Sequence, residues 1–388
     1  MSESKTNASQ RRVFGLDILR AIAILTVLVG HSVAHQQPPQ WFRWFWGAQG
    51  TLGVELFYVL SGFLIGHILI RSARSGKLHN MADVWDFWHR RWARTLPLYL
   101  FFLLLYFRFD YLGVGTLEKD YPFLLFMQNF AWPQIPFFQH SWSLAVEEWF
   151  YFLFPLVFVW LASNEGSYRR PMLATCAVFI IGPLLARAFI AGGANNYDDF
   201  NNLIRGVVVC RLDSIFIGVL LALIKVEWRQ LYDRLHYLFP LAAIAIVGIS
   251  IYLAYGLPGL VEHYWAKIVF FPILSICAVL LIPGLERVNT LGFQKLDMFI
   301  SYTSQVSYSL YLGHICMLTL VNGIMQDRGI HAVGVWQSMV VYAVYGLAYY
   351  GFATVTYRFI EQPYIRLRDL ALGHQDVRSG NVAIATRN

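Results

Sequence analysis

Long apolar runs alternate with short polar breaks along almost the whole chain. Ten runs approach the ~20 residues that cross a hydrocarbon core. Their centres lie near Leu25, Leu60, Leu103, Phe152, Ile181, Phe216, Ile246, Leu274, Leu312 and Val344. This pattern predicts an all-α, polytopic integral membrane protein of about ten transmembrane helices. The first run, Leu16 to Ser32, carries Asp17, Arg20 and His31 among its apolar residues. At 100° per residue, the eleven steps from Arg20 to His31 return to within about 20° of the start. Both side chains therefore share one helix face, roughly 16 Å apart along the axis. A charge at the centre of a span costs about 2.5–3.5 kcal/mol on insertion scales, so such residues face a polar interior and mark a working site. The alternative is an Asp17–Arg20 pair at one boundary, with His31 in the opposite headgroup zone.

Composition narrows the class. Charged residues are 14% of the chain and hydrophobic residues 57%, against about 25% charge in a soluble domain. A net charge of +7 could suggest nucleic acid, but its distribution follows topology instead. With the N-terminus inside, 21 of the 30 basic residues fall on inner loops or termini, including Arg71, Arg74, Arg90, Arg91, Arg94, Arg169, Arg170, Lys225, Arg229, Arg287 and Arg368. Outer loops keep Arg43, Arg108, Lys119, Arg205 and Arg328. This is the positive-inside pattern, with both termini cytoplasmic and no nucleic-acid partner expected. No small-residue cleavage site clearly follows the first run, which reads as a retained helix and not a signal peptide. The four cysteines stand singly in apolar runs, without metal or redox spacing, so no metal site is expected. The organisation expected is a cytoplasmic segment 1–13, a transmembrane domain 14–367 and a polar, disordered tail 368–388.

Further polar positions cluster. Glu55 lies near the outer end of the second span, followed by Ser61-Gly62, small residues where helices approach closely. Arg91 and Arg94 stand at i, i+3, which a helical turn would align as a two-armed guanidinium clamp suited to phosphate. Ordinary inner-loop charge explains them as well. The fourth span opens with His140, Ser143, Glu147 and Tyr151; His140, Glu147 and Tyr151 fall near one face if the segment is helical throughout. Its alternative is an interfacial aromatic belt with Glu148 solvated. Arg211 and Asp213 open the sixth span as a pair within the bundle. Tyr308, Tyr311 and His314 form a drifting polar stripe in the ninth.

At this point the chain resembles the membrane-bound acyltransferase-3 family, which O-acylates surface polysaccharides, lipid-linked glycans and some antibiotics. The likeness runs from Phe14 to Leu367. It rests on ordered blocks: Leu16-Asp17-x-Leu19-Arg20 with Arg20-x10-His31; Gly53-Val54-Glu55 with Ser61-Gly62-Phe63-Leu64; Arg91-x-x-Arg94 before Pro97; Trp142-Ser143-Leu144-Ala145-Val146-Glu147-Glu148; Arg211-Leu212-Asp213; Ser307-Tyr308-Ser309-Leu310-Tyr311-Leu312 with His314; and Glu361-x-Pro363. The resemblance implies ten helices, an acyl-CoA donor, and importance of Arg20, His31, Arg91 and Arg94. An extra esterase-like domain, which some relatives carry, is not expected here.

The expected reaction moves an acyl group, acetyl foremost, from acyl-CoA to a sugar hydroxyl, with acetyl-CoA as co-substrate and no permanently bound cofactor. Imidazole, with an ordinary pKa of about 6.5, can take a hydroxyl proton at cellular pH. His31 is assigned that base role. Glu147, at matching depth, or Glu55 would orient it. Arg91 and Arg94 would hold CoA phosphates, and Arg20 would steady the donor or stabilise negative charge on the thioester oxygen. Glu55, Ser61, His140, Ser143, Tyr151, Arg211, Asp213, Tyr308 and His314 are candidate substrate or cavity lining; Ser61 or Ser143 as covalent carrier has no positive support. The expected location is the bacterial inner membrane, with the glycan acceptor and membrane lipids as partners. A transporter or flippase of a glycan precursor could use the same buried residues, although no inverted repeat or paired broken helices appear. A scaffold without chemistry is a third class.

Overall fold

The structure is a computed structural model that describes residues 13–34, 40–111, 121–135, 137–163, 165–255, 257–330 and 335–371. Among these residues all regular structure is helical. In chain order the helices are α1 Phe14–Ala34, α2 Gln40–Arg74, α3 Met81–Tyr111, α4 Tyr121–Leu124, α5 Trp142–Ala162, α6 Arg169–Ile190, α7 Tyr197–Asp199, α8 Leu212–Glu227 and α9 Arg229–Leu235. They continue with α10 Phe239–Tyr255, α11 Leu257–Glu262, α12 Tyr264–Val279, α13 Ile282–Leu285, α14 Gln294–Gln305, α15 Ser307–Asp327, α16 Val335–Thr356 and α17 Gln362–Ala371. The last helix runs past the expected boundary at residue 368; segment 1–12 and the tail from 372 lie outside the described residues.

Among the described residues eight helices are long and apolar enough to cross a membrane: Phe14–Val33, Phe45–Arg74, Gln139–Ala162, Arg169–Gly193, Arg229–Ala254, Tyr264–Leu285, Ser307–Asp327 and Trp336–Arg368. Two further expected spans coincide with α3 and α8. The N-terminal half of α3 carries Asp83, Asp86, Arg90, Arg91 and Arg94, and α8 has 16 residues. Charge in one and brevity in the other keep them outside the eight.

The core forms where small residues let backbones meet. A Cβ added at Gly62 of α2 would lie 1.9 Å from the Ile215 carbonyl oxygen, and one at Gly218 of α8 would lie 2.2 Å from that of Val59. These two glycines seat α8 directly against α2, as expected where lipid offers no hydrophobic drive for helix association.

Two prolines inside helices open cross-helix bonds. Pro155 has no N–H, so the Tyr151 carbonyl loses its i+4 donor. The Trp88 indole N–H of α3 donates to that carbonyl at 3.1 Å. Pro272 likewise releases the Ile268 carbonyl of α12, and Arg187 Nε of α6 donates to it at 2.8 Å. Each helix-breaking residue thus ties its helix to a neighbour.

Candidate active site

Polar side chains gather in three clusters. The one nearest the C-terminal end of α1 is built from histidines of three helical elements. His31 and His314 rings stand 5.0 Å apart, and His314 and His140 rings 5.2 Å apart. His314 Nδ1 lies 2.6 Å from the Tyr311 carbonyl. A carbonyl can only accept, so Nδ1 carries the proton and Nε2 of the neutral ring is an acceptor. His31 Nδ1 lies 3.3 Å from that Nε2 and 3.0 Å from the Val27 carbonyl. Both partners accept, which places the His31 proton on Nδ1 and its lone pair on Nε2. His140 Nε2 donates to the Leu312 carbonyl at 3.2 Å. His140 and His314 are buried, whereas His31 is partly exposed. The Tyr311 hydroxyl donates to the His140 carbonyl at 2.8 Å and meets Ser143 Oγ. Ser32 Oγ and the Tyr349 hydroxyl, 2.9 Å apart, close the cluster against α16.

The second cluster lies deeper. Ser61 Oγ donates to Glu147 Oε1 at 2.5 Å and is 2.9 Å from the Tyr151 hydroxyl. The Tyr151 hydroxyl donates to Glu147 and accepts from Arg91 Nη2. Arg91 lies 3.7 Å from the Glu147 carboxylate, and its guanidinium sits 4.0 Å from the Tyr151 ring centroid. Arg94, one turn on, is exposed and has Glu361 and Tyr151 among its electrostatic neighbours. Of the expected two-armed clamp, Arg91 is therefore engaged with protein groups and Arg94 is the open arm. Around them, Tyr308 donates to the Thr95 carbonyl at 2.9 Å and Ser309 to Glu361 at 2.7 Å. Towards the N-terminus of α1, Ser304 Oγ donates to Asp17 at 2.7 Å and accepts from Arg20 at 3.3 Å. Arg20 stands 3.9 Å from Asp17.

The pairing of Glu147 with His31 needs correction. Glu147 is seven residues further along the chain than His140, about 10 Å along a helix, and its carboxylate is bonded to Ser61, Tyr151 and Arg91. His140 is level with His31; Glu147 is not. The Val27 carbonyl and His314 both hold the His31 ring, the latter a residue the sequence suggested only as lining. Glu148, solvated under the interfacial alternative, is instead buried with Arg91 as its electrostatic partner.

The third cluster corrects the expected Arg211–Asp213 pair. Residues at i, i+2 on a helix point about 200° apart. Arg211 pairs with Glu55 of α2, and Asp213 takes both Nη1 and Nη2 of Arg187 at 3.1 and 2.6 Å. Glu55 also accepts from Ser275 Oγ at 2.8 Å. All four charges are fully buried. Glu55 is thus far from orienting a histidine; it belongs to an ion-pair lattice joining α2, α6, α8 and α12. Arg187 escaped the sequence reading, although a lone arginine within the apolar run from Ile180 to Ile190 was signal enough. Tyr349 and Ser304 escaped for a different reason: single hydroxyls in membrane helices carry no spacing signature. Among the described residues no group of three or more His, Cys, Asp or Glu side chains could hold a metal ion.

Residues 13–358 match the Acyl_transf_3 family, an acyltransferase domain. O-acetyltransferase OatA of Staphylococcus aureus (strain NCTC 8325 / PS 47) is 27% identical over 374 residues, covering 92% of this chain and 57% of that protein. SACOL0978 of strain COL, provisionally named an O-acetyltransferase, is 25% identical over 381 residues, covering 91% of this chain and 57% of its own. The chain therefore spans little more than half the length of either relative. No solved structure matches it. With its polytopic helical bundle and a match that extends over all but its two ends, the chain belongs to the Acyl_transf_3 family of acyltransferase domains.

Proposed function

We propose that the chain is a membrane O-acyltransferase that moves an acyl group, acetyl foremost, from acyl-CoA to a hydroxyl of a cell-surface polysaccharide or lipid-linked sugar, in the bacterial inner membrane. The observation that carries this reading is the hydrogen-bond chain from Tyr311 through His314 to His31, which leaves the His31 lone pair on Nε2. The sugar hydroxyl attacks the thioester carbonyl as Nε2 takes its proton. The tetrahedral intermediate then expels CoA thiolate, which recovers a proton from the imidazolium, and neutral His31 returns. His314 and the Val27 carbonyl hold the ring as the orienting group does in hydrolase triads. The names of the relatives support O-acetyl transfer in particular.

Arg94, with Arg91 behind it, would take CoA phosphates. Arg20 stands roughly 16 Å from His31 along α1, too far to meet an oxyanion formed at His31. Its place in this reading is the donor's path. The long pantetheine arm would carry the thioester from the arginine depth towards the histidines.

The Ser61–Glu147 contact favours a second reading of the same transfer. Ser61 Oγ, its proton passing through Glu147 to the departing CoA thiolate, would attack the thioester; the sugar hydroxyl would then take the acyl group, its proton passing through Glu147 back to the released Ser61 Oγ.

Mass spectrometry of surface glycans with and without the gene tests the function. Loss of acylation at normal glycan abundance is the expected result. A lost or truncated glycan would replace the enzyme with a transporter or flippase. Unchanged glycans would leave the scaffold reading.

A further inference from the structure

A cavity of about 780 Å³ opens beside the C-terminal end of α2, lined by His67, Arg71, Arg74, Ser75, Lys225 and Arg229. This is the end that the loop charges assign to the cytosol. No carboxylate among the described residues lines it. The acids nearby are turned elsewhere. Asp233 and Glu286 line an adjoining cavity of about 240 Å³ that shares Lys225 and Arg229. Arg229 Nε donates to Asp233 at 3.0 Å, and Lys225 Nζ donates to both oxygens of Glu286 at 2.7 Å. Glu227 is taken by Tyr168 and Arg169.

Arg71 and Arg74 remain. Among the described residues neither guanidinium lies within ion-pair distance of a carboxylate. Both are exposed, on one face of α2 at i, i+3. His67, one turn before Arg71, has a buried Nδ1 with no hydrogen-bond partner. The cavity therefore holds about two surplus positive charges, with a bidentate donor on each. Positions 67, 71 and 74 lie about 80–140° around α2 from Ser61. None of Ser61, Arg91, Glu147 and Tyr151 lines it, so the cavity is separate from the cluster around Arg91.

We propose that this cavity binds a phosphate-bearing anion, with the phosphate held by Arg71 and Arg74. The surroundings favour an anionic phospholipid headgroup as the source. Val226 lines the cavity, and Trp228, next to Arg229, is about half exposed, at 46%. An apolar rim beside a basic cavity at the cytosolic boundary accepts acyl chains and headgroup together. A soluble nucleotide phosphate carries the same recognised chemistry and is the other source to be tested.

The experiment uses the purified full chain in detergent, with bound ligand counted by native mass spectrometry. Probes are dioleoyl-phosphatidylglycerol, dioleoyl-phosphatidylcholine and adenosine 3′,5′-bisphosphate. The expected result is selective retention of phosphatidylglycerol, weakened about tenfold in R71Q/R74Q by loss of two charge-assisted contacts. R71K/R74K should recover part of it. R358Q, which removes an exposed cation elsewhere near the same end, should leave binding unchanged. If the double variant does not fold, R74Q alone carries the test, with a loss of about threefold. Preference for the bisphosphate, lost in the same variants, would assign the phosphate to a soluble source. Equal retention of both lipids, or losses equal in R358Q and R71Q/R74Q, would overturn the proposal.

Discussion

His31 has a ring orientation that can be tested atom by atom. Its Nδ1 proton is shared between the Val27 carbonyl and His314 Nε2, so the base nitrogen and the orienting nitrogen have separate tasks. His31→Ala should insert and bind acyl-CoA yet lose about 10²–10⁴-fold of glycan acylation, the usual contribution of a general base. His314→Ala should act through His31, lowering kcat more than donor affinity; a normal kcat in folded protein would remove His314 as the orienting group. Ser61 calls for a different measurement. If the acyl group rests on its hydroxyl, radiolabelled acetyl-CoA should leave an ester on the wild-type chain that hydroxylamine removes, and Ser61→Ala should carry none. Label retained on Ser61→Ala would return Ser61 to a hydrogen-bonding partner of Glu147.

Elements in this bundle are tied by polar bonds that helix-breaking and charged residues create together. Arg187 satisfies a carbonyl freed by Pro272, donates to the Cys210 carbonyl and neutralises Asp213, all without exposure. Removing one partner leaves a buried charge, which costs about 3–5 kcal/mol, whereas replacing both by apolar residues is often neutral. Arg187→Leu should therefore lower the unfolding temperature in detergent sharply, and Arg187→Leu/Asp213→Leu should recover most of it. A double variant as unstable as the single one would refute the ion-pair account. The same logic applies to Trp88→Phe. It strands the Tyr151 carbonyl and should cost about 1–3 kcal/mol, with donor binding disturbed because Tyr151 holds Arg91. These bonds were only partly legible in the sequence. The helix pattern, the Arg20–His31 stripe and the close approach at Gly62 follow from periodicity and side-chain size. Which acid meets which base does not. Glu147 and Glu55 both lay within plausible reach of a histidine, and only the rotation of α2 and α5 about their axes sends one to Ser61 and the other to Arg211.

At the scale of the whole molecule, two depths of chemistry imply a direction. The arginine cluster around Arg91 and Arg94 and the cavity around Arg71 and Arg74 lie towards one end of the bundle, the histidines towards the other. Loop charge assigns the arginine end to the cytosol, where acyl-CoA is made available, and the histidine end to the outside, where a surface glycan would meet it. This orientation yields a set of expectations that share one sign. Reporter fusions after Lys77, Arg170, Arg234, Lys295 and Gln375 should read cytoplasmic, and fusions near Pro39, Lys119, Asn196 and Gln326 should read external. Cysteines placed at Ser75 and at Gln326 offer a check in the full chain: a membrane-impermeant thiol reagent applied to intact cells should label the second and spare the first. A consistent inversion would put the arginines on the side without acyl-CoA. The donor path from Arg94 to His31 would then be untenable, even if every side-chain contact described above were correct.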